Sequence, residues 1–203
     1  MHHPVVVMGV SGAGKTAVGT VLADRLGATF TDADSLHPTA NVKKMAEGIP
    51  LIDADRWPWL QLVGAELSAK HEQGIVVACS ALKRAYRDAI RTAAPTTTFI
   101  LLSVDTPVLA ERLVQRPGHF MPASLLASQL ETLELLDADE AGIVLTSEGG
   151  IEATTDRILA TLQLHEGTAA DGPVRQERWS AQVPAAGYAG ANALTESRST
   201  VGQ

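Results

Sequence analysis

Short apolar runs alternate with segments in which apolar residues return every three or four positions, and the alternation continues to about residue 165. Val5-Val6-Val7-Met8 is the first run; Val18, Val21, Leu22 and Leu26 then fall at i, i+3, i+4 and i+8, the stripe of a helix lying on a sheet. Gly27 is placed to end that helix. Residues 28–31 predict a second strand. A polar helix follows from Pro38 to Glu47, where Gly48 and Pro50 stop it. Leu60, Val63, Gly64 and Leu67 repeat the helical spacing within 56–73, and Gly74 closes that segment. Residues 75–79 form a continuous apolar run of strand length, followed by a basic helix over 83–92. Residues 98–104 predict a fourth strand, and Asp105-Thr106-Pro107 has the form of a helix cap with Pro in the first turn. That helix runs toward Arg116, before the breakers Pro117 and Gly118. Leu126, Leu130 and Leu133 share one side of a helix over 124–136, residues 142–146 supply a fifth strand, and Ile151, Ile158, Leu159 and Leu162 line a last helix. Strands that are apolar on both faces, alternating with helices, predict an α/β fold: a parallel five-stranded sheet sandwiched by helices.

From about Glu166 the texture changes. Ala, Gly, Ser and Thr dominate without period, and Trp179 and Tyr188 are the large anchors. The expected organisation is one domain over 1–165 and a flexible tail over 166–203. At 203 residues one domain buries a substantial core. The formal net charge of −7 argues against nucleic-acid or anionic-membrane partners, which need a broad basic face. No apolar stretch approaches the ~20 residues that span a bilayer. Cys79 is the single cysteine, which excludes an intrachain disulfide or a Cys-rich zinc site and fits a reducing, cytoplasmic setting.

The chemistry starts where the first strand ends. Gly9-Val10-Ser11-Gly12-Ala13-Gly14-Lys15-Thr16 matches G-x-x-x-x-G-K-[ST], between a strand pattern and a helix pattern. Gly12 and Gly14 allow a turn tight enough for successive N–H groups, including those of Gly9, Ser11 and Ala13, to form an anion nest. The helix start adds unsatisfied N–H groups and the positive end of its dipole. Lys15 is expected to reach the β- and γ-phosphates of ATP, and the Thr16 hydroxyl to ligate Mg²⁺.

Asp32 and Asp34, two residues apart at the end of the second strand, supply a carboxylate for the metal shell and one for an acceptor hydroxyl, or cap their own loop. Asp105, after an apolar strand, is the rival metal carboxylate but suits helix capping better. Lys83 and Arg87 fall at i and i+4, with Lys83 near a helix N-terminus where a bound anion explains a cation, or on a solvated face. Arg56 has the planar fork that suits a carboxylate, with Asp53 and Asp55 as competing partners. Arg112 and Arg116 lead into Pro117-Gly118-His119-Phe120, which reads as a mobile lid able to carry Arg116 to a γ-phosphate.

Together these stretches resemble the gluconokinase family of P-loop sugar-acid kinases over about residues 4–164. The resemblance rests on the P-loop, on Asp32-Ala33-Asp34-Ser35-Leu36-His37-Pro38, on Asp53-Ala54-Asp55-Arg56-Trp57-Pro58-Trp59-Leu60, on Cys79-Ser80-Ala81-Leu82-Lys83-Arg84, on Gly118-His119-Phe120-Met121 and on Ser128-Gln129-Leu130-Glu131-Thr132. It implies a fold similar to nucleoside monophosphate kinases, ATP-dependent phosphorylation of D-gluconate, and a homodimer. It also implies ATP and Mg²⁺ at Lys15 and Thr16, with Asp34, His37, Arg56, Lys83, Arg87 and His119 around the sugar acid. Direct in-line transfer would use Asp34, Lys15 and Arg116. Ala33 stands where the family more usually has Gly, and the tail has no counterpart. A shikimate kinase-like enzyme is the nearest alternative, although Cys79-Ser80-Ala81-Leu82-Lys83 replaces the Gly-rich stretch expected there. A regulatory ATP-binding module is the alternative from another class.

Overall fold

Strand β1 (Val5–Met8) buries all four of its side chains, and the rest of the chain is built outward from it. The computed structural model describes residues 3–114, 123–147 and 149–166. The other strands are β2 (Thr29–Asp32), β3 (Ile75–Ala78), β4 (Thr98–Ser103) and β5 (Gly142–Thr146). All pair in parallel in the order β2-β3-β1-β4-β5, with Val6 opposite Val77 on one side and Phe99 on the other. Parallel neighbours need crossover connections, and helices α1 (Lys15–Leu26), α2 (Thr39–Ala46), α3 (Asp53–Ala69), α4 (Arg84–Ala93), α5 (Thr106–Val114) and α6 (Ala123–Thr132) supply them, while α7 (Gly150–Glu166) follows β5.

The period-two rule for strands divides the core. Val6 and Met8 point into one cluster, with Trp59, Leu60, Val63 and Leu67 of α3 and Tyr86 and Ile90 of α4. Val5 and Val7 point into the other, with Val18 and Leu22 of α1 and Ile158 of α7. Each fully buried aliphatic side chain contributes about 1.5–3 kcal/mol. Gly64 sits where α3 crosses α4, since a Cβ there would lie 3.1 Å from the Ile90 carbonyl oxygen. The chain turns outward from β1 to β2 and later to the opposite side at β4. The carboxyl end of β1 is therefore the switch point at which an open α/β sheet forms its ligand crevice.

The parallel five-stranded sandwich is as expected, and Gly27 caps α1 in the left-handed region with its N–H on the Ala23 and Asp24 carbonyls. Five local expectations change. The helix expected over 56–73 starts at Asp53, because the Asp55 carboxylate takes the Ile52 N–H as a cap, and its last residues form a separate short 3₁₀ turn over His71–Gln73. Lys83 stands before α4 in extended backbone rather than on the helix, so it does not share a helix face with Arg87. The helix expected to reach residue 136 ends at Thr132. Past it, the Glu134 N–H goes to the Leu82 carbonyl, and Arg87 takes the Glu134 and Leu135 carbonyls, so tertiary partners claim these groups in place of i−4 bonds. Ile151 is 45 % exposed and does not line the inner face of α7. That helix carries through Glu166, one residue past the expected boundary. Arg116, His119 and the proposed lid lie outside the described residues, as does the tail over 167–203.

Candidate active site

The P-loop turns between β1 and α1 because three glycines take backbone angles closed to other residues. Gly9, Gly12 and Gly14 have φ of 137°, 82° and 95°. A Cβ on Gly9 would also lie 2.9 Å from the Leu102 carbonyl oxygen. The side chain of Lys15 folds back to donate to the Val10 carbonyl at 3.1 Å, across the mouth of the loop. Such a nest at a helix start suits a polyphosphate.

Asp32, the last residue of β2, faces this helix start. Its Oδ2 accepts the Thr16 hydroxyl at 2.9 Å, while Oδ1 accepts the Asp34 N–H at 3.0 Å. The metal and loop-capping readings thus meet in one side chain. Hard oxygen donors side by side at the start of α1 fit a Mg²⁺ ion that also binds phosphate oxygens. Asp105 sits at the start of α5, where its carbonyl accepts the Leu109 N–H.

Over Ala33–Leu36 the chain makes a short 3₁₀ turn that contains Asp34 and delivers His37 flat against Trp59, with ring centroids 4.1 Å apart and planes 15° from parallel. The Trp59 indole is fixed in turn by donating to the Ala33 carbonyl at 2.7 Å. Burial holds the His37 pKa below its ordinary value; Asp34 opposes this and Arg56 adds to it. A neutral imidazole at that position exchanges hydrogen bonds with hydroxyls rather than acting as a fixed cation.

A cation cluster lies on the α3 and α4 side. Arg56 Nη1 donates to the Tyr86 hydroxyl at 3.1 Å, and Lys83 Nζ donates to both oxygens of Asp53 at 3.0 Å. Both cations stand over the Tyr86 ring, at 5.5 and 5.4 Å from its centroid. Of the two partners open to Arg56 in the sequence, Asp53 is the one within ion-pair distance, at 3.6 Å; Asp55 pairs with Lys44 at 2.7 Å.

Arg87 does not join them. Its side chain is fully buried, forked onto Glu140 at 2.6 and 2.7 Å, and its remaining donors go to the Ala81, Leu82, Glu134 and Leu135 carbonyls. This corrects the expectation of a substrate contact, since every face of the guanidinium is occupied by protein. What Arg87 holds is the bend carrying Lys83. Ala81 lies there at φ 40°, a conformation that a non-glycine residue keeps only when neighbours enforce it.

Two contacts brace the P-loop from across the fold. Arg112 Nη1 donates to the Gly12 carbonyl at 3.4 Å. Gln129 of α6 accepts the Ser11 N–H at 2.7 Å, 118 positions away, and its amide nitrogen donates to the Ser11 hydroxyl at 3.4 Å. Residue-by-residue reasoning did not single out Gln129 as a site residue. The signal available was its place in one of the matching family stretches.

Known kinases resemble this chain in sequence and fold. The family model described as Shikimate kinase matches residues 11–162. A gluconokinase of Gluconobacter oxydans is 48 % identical over 164 residues, covering 80 % of this chain and 92 % of its own. The crystal structure of a gluconokinase from Sinorhizobium meliloti superposes with a TM-score of 0.74 at 43 % identity, covering 82 % of this chain and 98 % of that one. A shikimate kinase from Aquifex aeolicus reaches a TM-score of 0.53 at 20 % identity, covering 82 % of this chain and 99 % of that one, a likeness of fold.

Proposed function

Since the chain belongs to the gluconokinase family of P-loop kinases, we propose that it transfers the γ-phosphoryl group of ATP to the terminal hydroxyl of D-gluconate, giving 6-phospho-D-gluconate. One observation carries the reading. The phosphate nest, the Asp32–Asp34 turn and the Lys83–Arg56–Tyr86 cluster are tied together at the carboxyl ends of β1, β2 and β3, by the Thr16–Asp32, His37–Trp59 and Gly9 N–H to Ser80 carbonyl contacts.

The P-loop amides and Lys15 hold the triphosphate and offset charge on the moving phosphoryl group. Asp34 orients or deprotonates the acceptor hydroxyl. His37 and Asp34 take sugar hydroxyls, and Lys83 with Arg56 takes the carboxylate. Thr16 and Asp32 would hold Mg²⁺, which when bound neutralises and orients the β- and γ-phosphates. Direct in-line displacement needs no phosphoenzyme, so positioning and charge carry the catalysis. The reading keeps Arg116 as a catalytic residue, His119 as a substrate residue, and a cytoplasmic homodimer.

The test is a coupled ADP-release assay with ATP and Mg²⁺, offering D-gluconate, shikimate, adenylate or no acceptor. Release with gluconate alone is the expected result. Silence with gluconate while ATP still binds would overturn the assignment. Asp34→Asn is expected to abolish turnover with ATP binding intact.

A further inference from the structure

The cation cluster already contains a carboxylate. Asp53, the first residue of α3, accepts the Tyr86 hydroxyl at 2.5 Å and Lys83 at 3.0 Å on each oxygen, with Arg56 at 3.6 Å. These are the groups that a sugar-acid carboxylate would need. Asp53 is also the least enclosed member, its side chain 46 % exposed against 31 % for Lys83 and 16 % for Arg56. Asp55 is locked by capping the Ile52 N–H, whereas the carboxylate of Asp53 bonds, among the described residues, only to side chains. The Tyr86 hydrogen bond, and then Lys83, hold the Asp53 pKa below the ordinary carboxylate value, so the group is ionised at neutral pH.

We propose that Asp53 is a specificity-determining residue that occupies Lys83 and Arg56 in the empty enzyme and competes with the substrate's carboxylate for them. The proposal rests on the gluconate reading above. A ligand must bring enough hydroxyl contacts at Asp34 and His37 to displace Asp53 from the cations. A bare carboxylate brings none and is rejected. Affinity is reduced by the fraction of molecules in which the cations are already taken. If Asp53 holds them nine-tenths of the time, its removal tightens binding about tenfold.

The experiment measures KM for gluconate and inhibition by acetate in Asp53→Asn, Asp53→Ser and Lys83→Gln. Serine favours a helix start and guards against misfolding at α3. The expected result is a gluconate KM lowered about fivefold or more in both Asp53 variants without a matching fall in KM for ATP. Acetate should become an effective inhibitor, and Lys83→Gln should raise the gluconate KM. A gluconate KM unchanged or raised in both Asp53 variants, with Lys83→Gln still impaired, overturns the competition and leaves the carboxylate site standing. An unaffected Lys83→Gln enzyme removes the carboxylate site and the proposal together.

Discussion

The hydroxyl of Thr16 and the carboxylate of Asp32 meet at 2.9 Å, joining the first turn of α1 to the end of β2. If this pair receives Mg²⁺, removing either oxygen weakens the metal rather than the fold, since Thr16 is exposed and Asp32 half-buried. Thr16→Ala and Asp32→Asn are expected to raise the Mg²⁺ concentration for half-maximal activity roughly 10- to 100-fold. Titration of a non-hydrolysable ATP analogue with and without Mg²⁺ checks this: the metal should no longer tighten binding in either variant.

Gln129 reaches the P-loop from α6, and its amide fits both polar groups of Ser11. A net hydrogen bond is worth about 0.5–1.5 kcal/mol, so Gln129→Ala should raise KM for ATP about 2- to 10-fold and leave KM for gluconate near its starting value. Gln129→Glu should be worse, because it sets a negative charge beside the phosphate nest. Parallel saturation curves in the two substrates separate this from general damage.

Arg87 and Glu140 form a buried pair whose loss exposes the bend before α4. Removing Arg87 leaves the buried Glu140 carboxylate with Arg91 and the Asp137 N–H as its remaining partners, so Arg87→Met should cost about 3 kcal/mol, the lower end for a broken buried pair, and lower Tm on the order of 10 °C. Thermal melting checks it.

Glu140 itself makes stability depend on acid. Burial alone would raise its pKa, but the hydrogen bonds from Arg87, the Asp137 N–H and Arg91 outweigh it and hold the group at about 2, against an ordinary 4.5. A carboxylate whose folded pKa is depressed contributes its full stability above the ordinary value and loses it as pH falls through the folded one. Denaturant midpoints should therefore drop steeply between pH 4.5 and 2 in the parent and more shallowly in Glu140→Gln.

Cys79 follows β3 and is buried, and burial pushes its thiol up to about 12. Too little thiolate forms at pH 8 for reaction. Alkylation should be negligible in the native protein and complete in denaturant, with mass spectrometry reading one adduct because the chain has one cysteine.

Much of the site was legible along the chain because its parts are local. The P-loop spans eight consecutive residues, and Asp32 and Asp34 share one strand end, so short-range geometry alone brings each group together. Arg87 was misread for the opposite reason. A basic residue at i+4 from Lys83 is equally consistent with an open anion site and a buried fastener, and the partners that decide it, Glu140 and the Glu134 and Leu135 carbonyls, stand 47 to 53 positions away. The end of α6 was overextended because helical spacing continues through Leu133, while the groups that stop the helix belong to Leu82 and Arg87.

The sequence by itself determined the order and type of the elements, through apolar periodicity, and the phosphate nest, through glycines at positions where only positive φ closes the turn. Tertiary structure alone decided the strand order, the choice of Asp53 over Asp55 as the partner of Arg56, the brace from Gln129 to Ser11 and the burial of Arg87. Periodicity records which face of an element is apolar, and that information is local. Which charges meet depends on how separate elements are stacked, and only the packed core sets that distance.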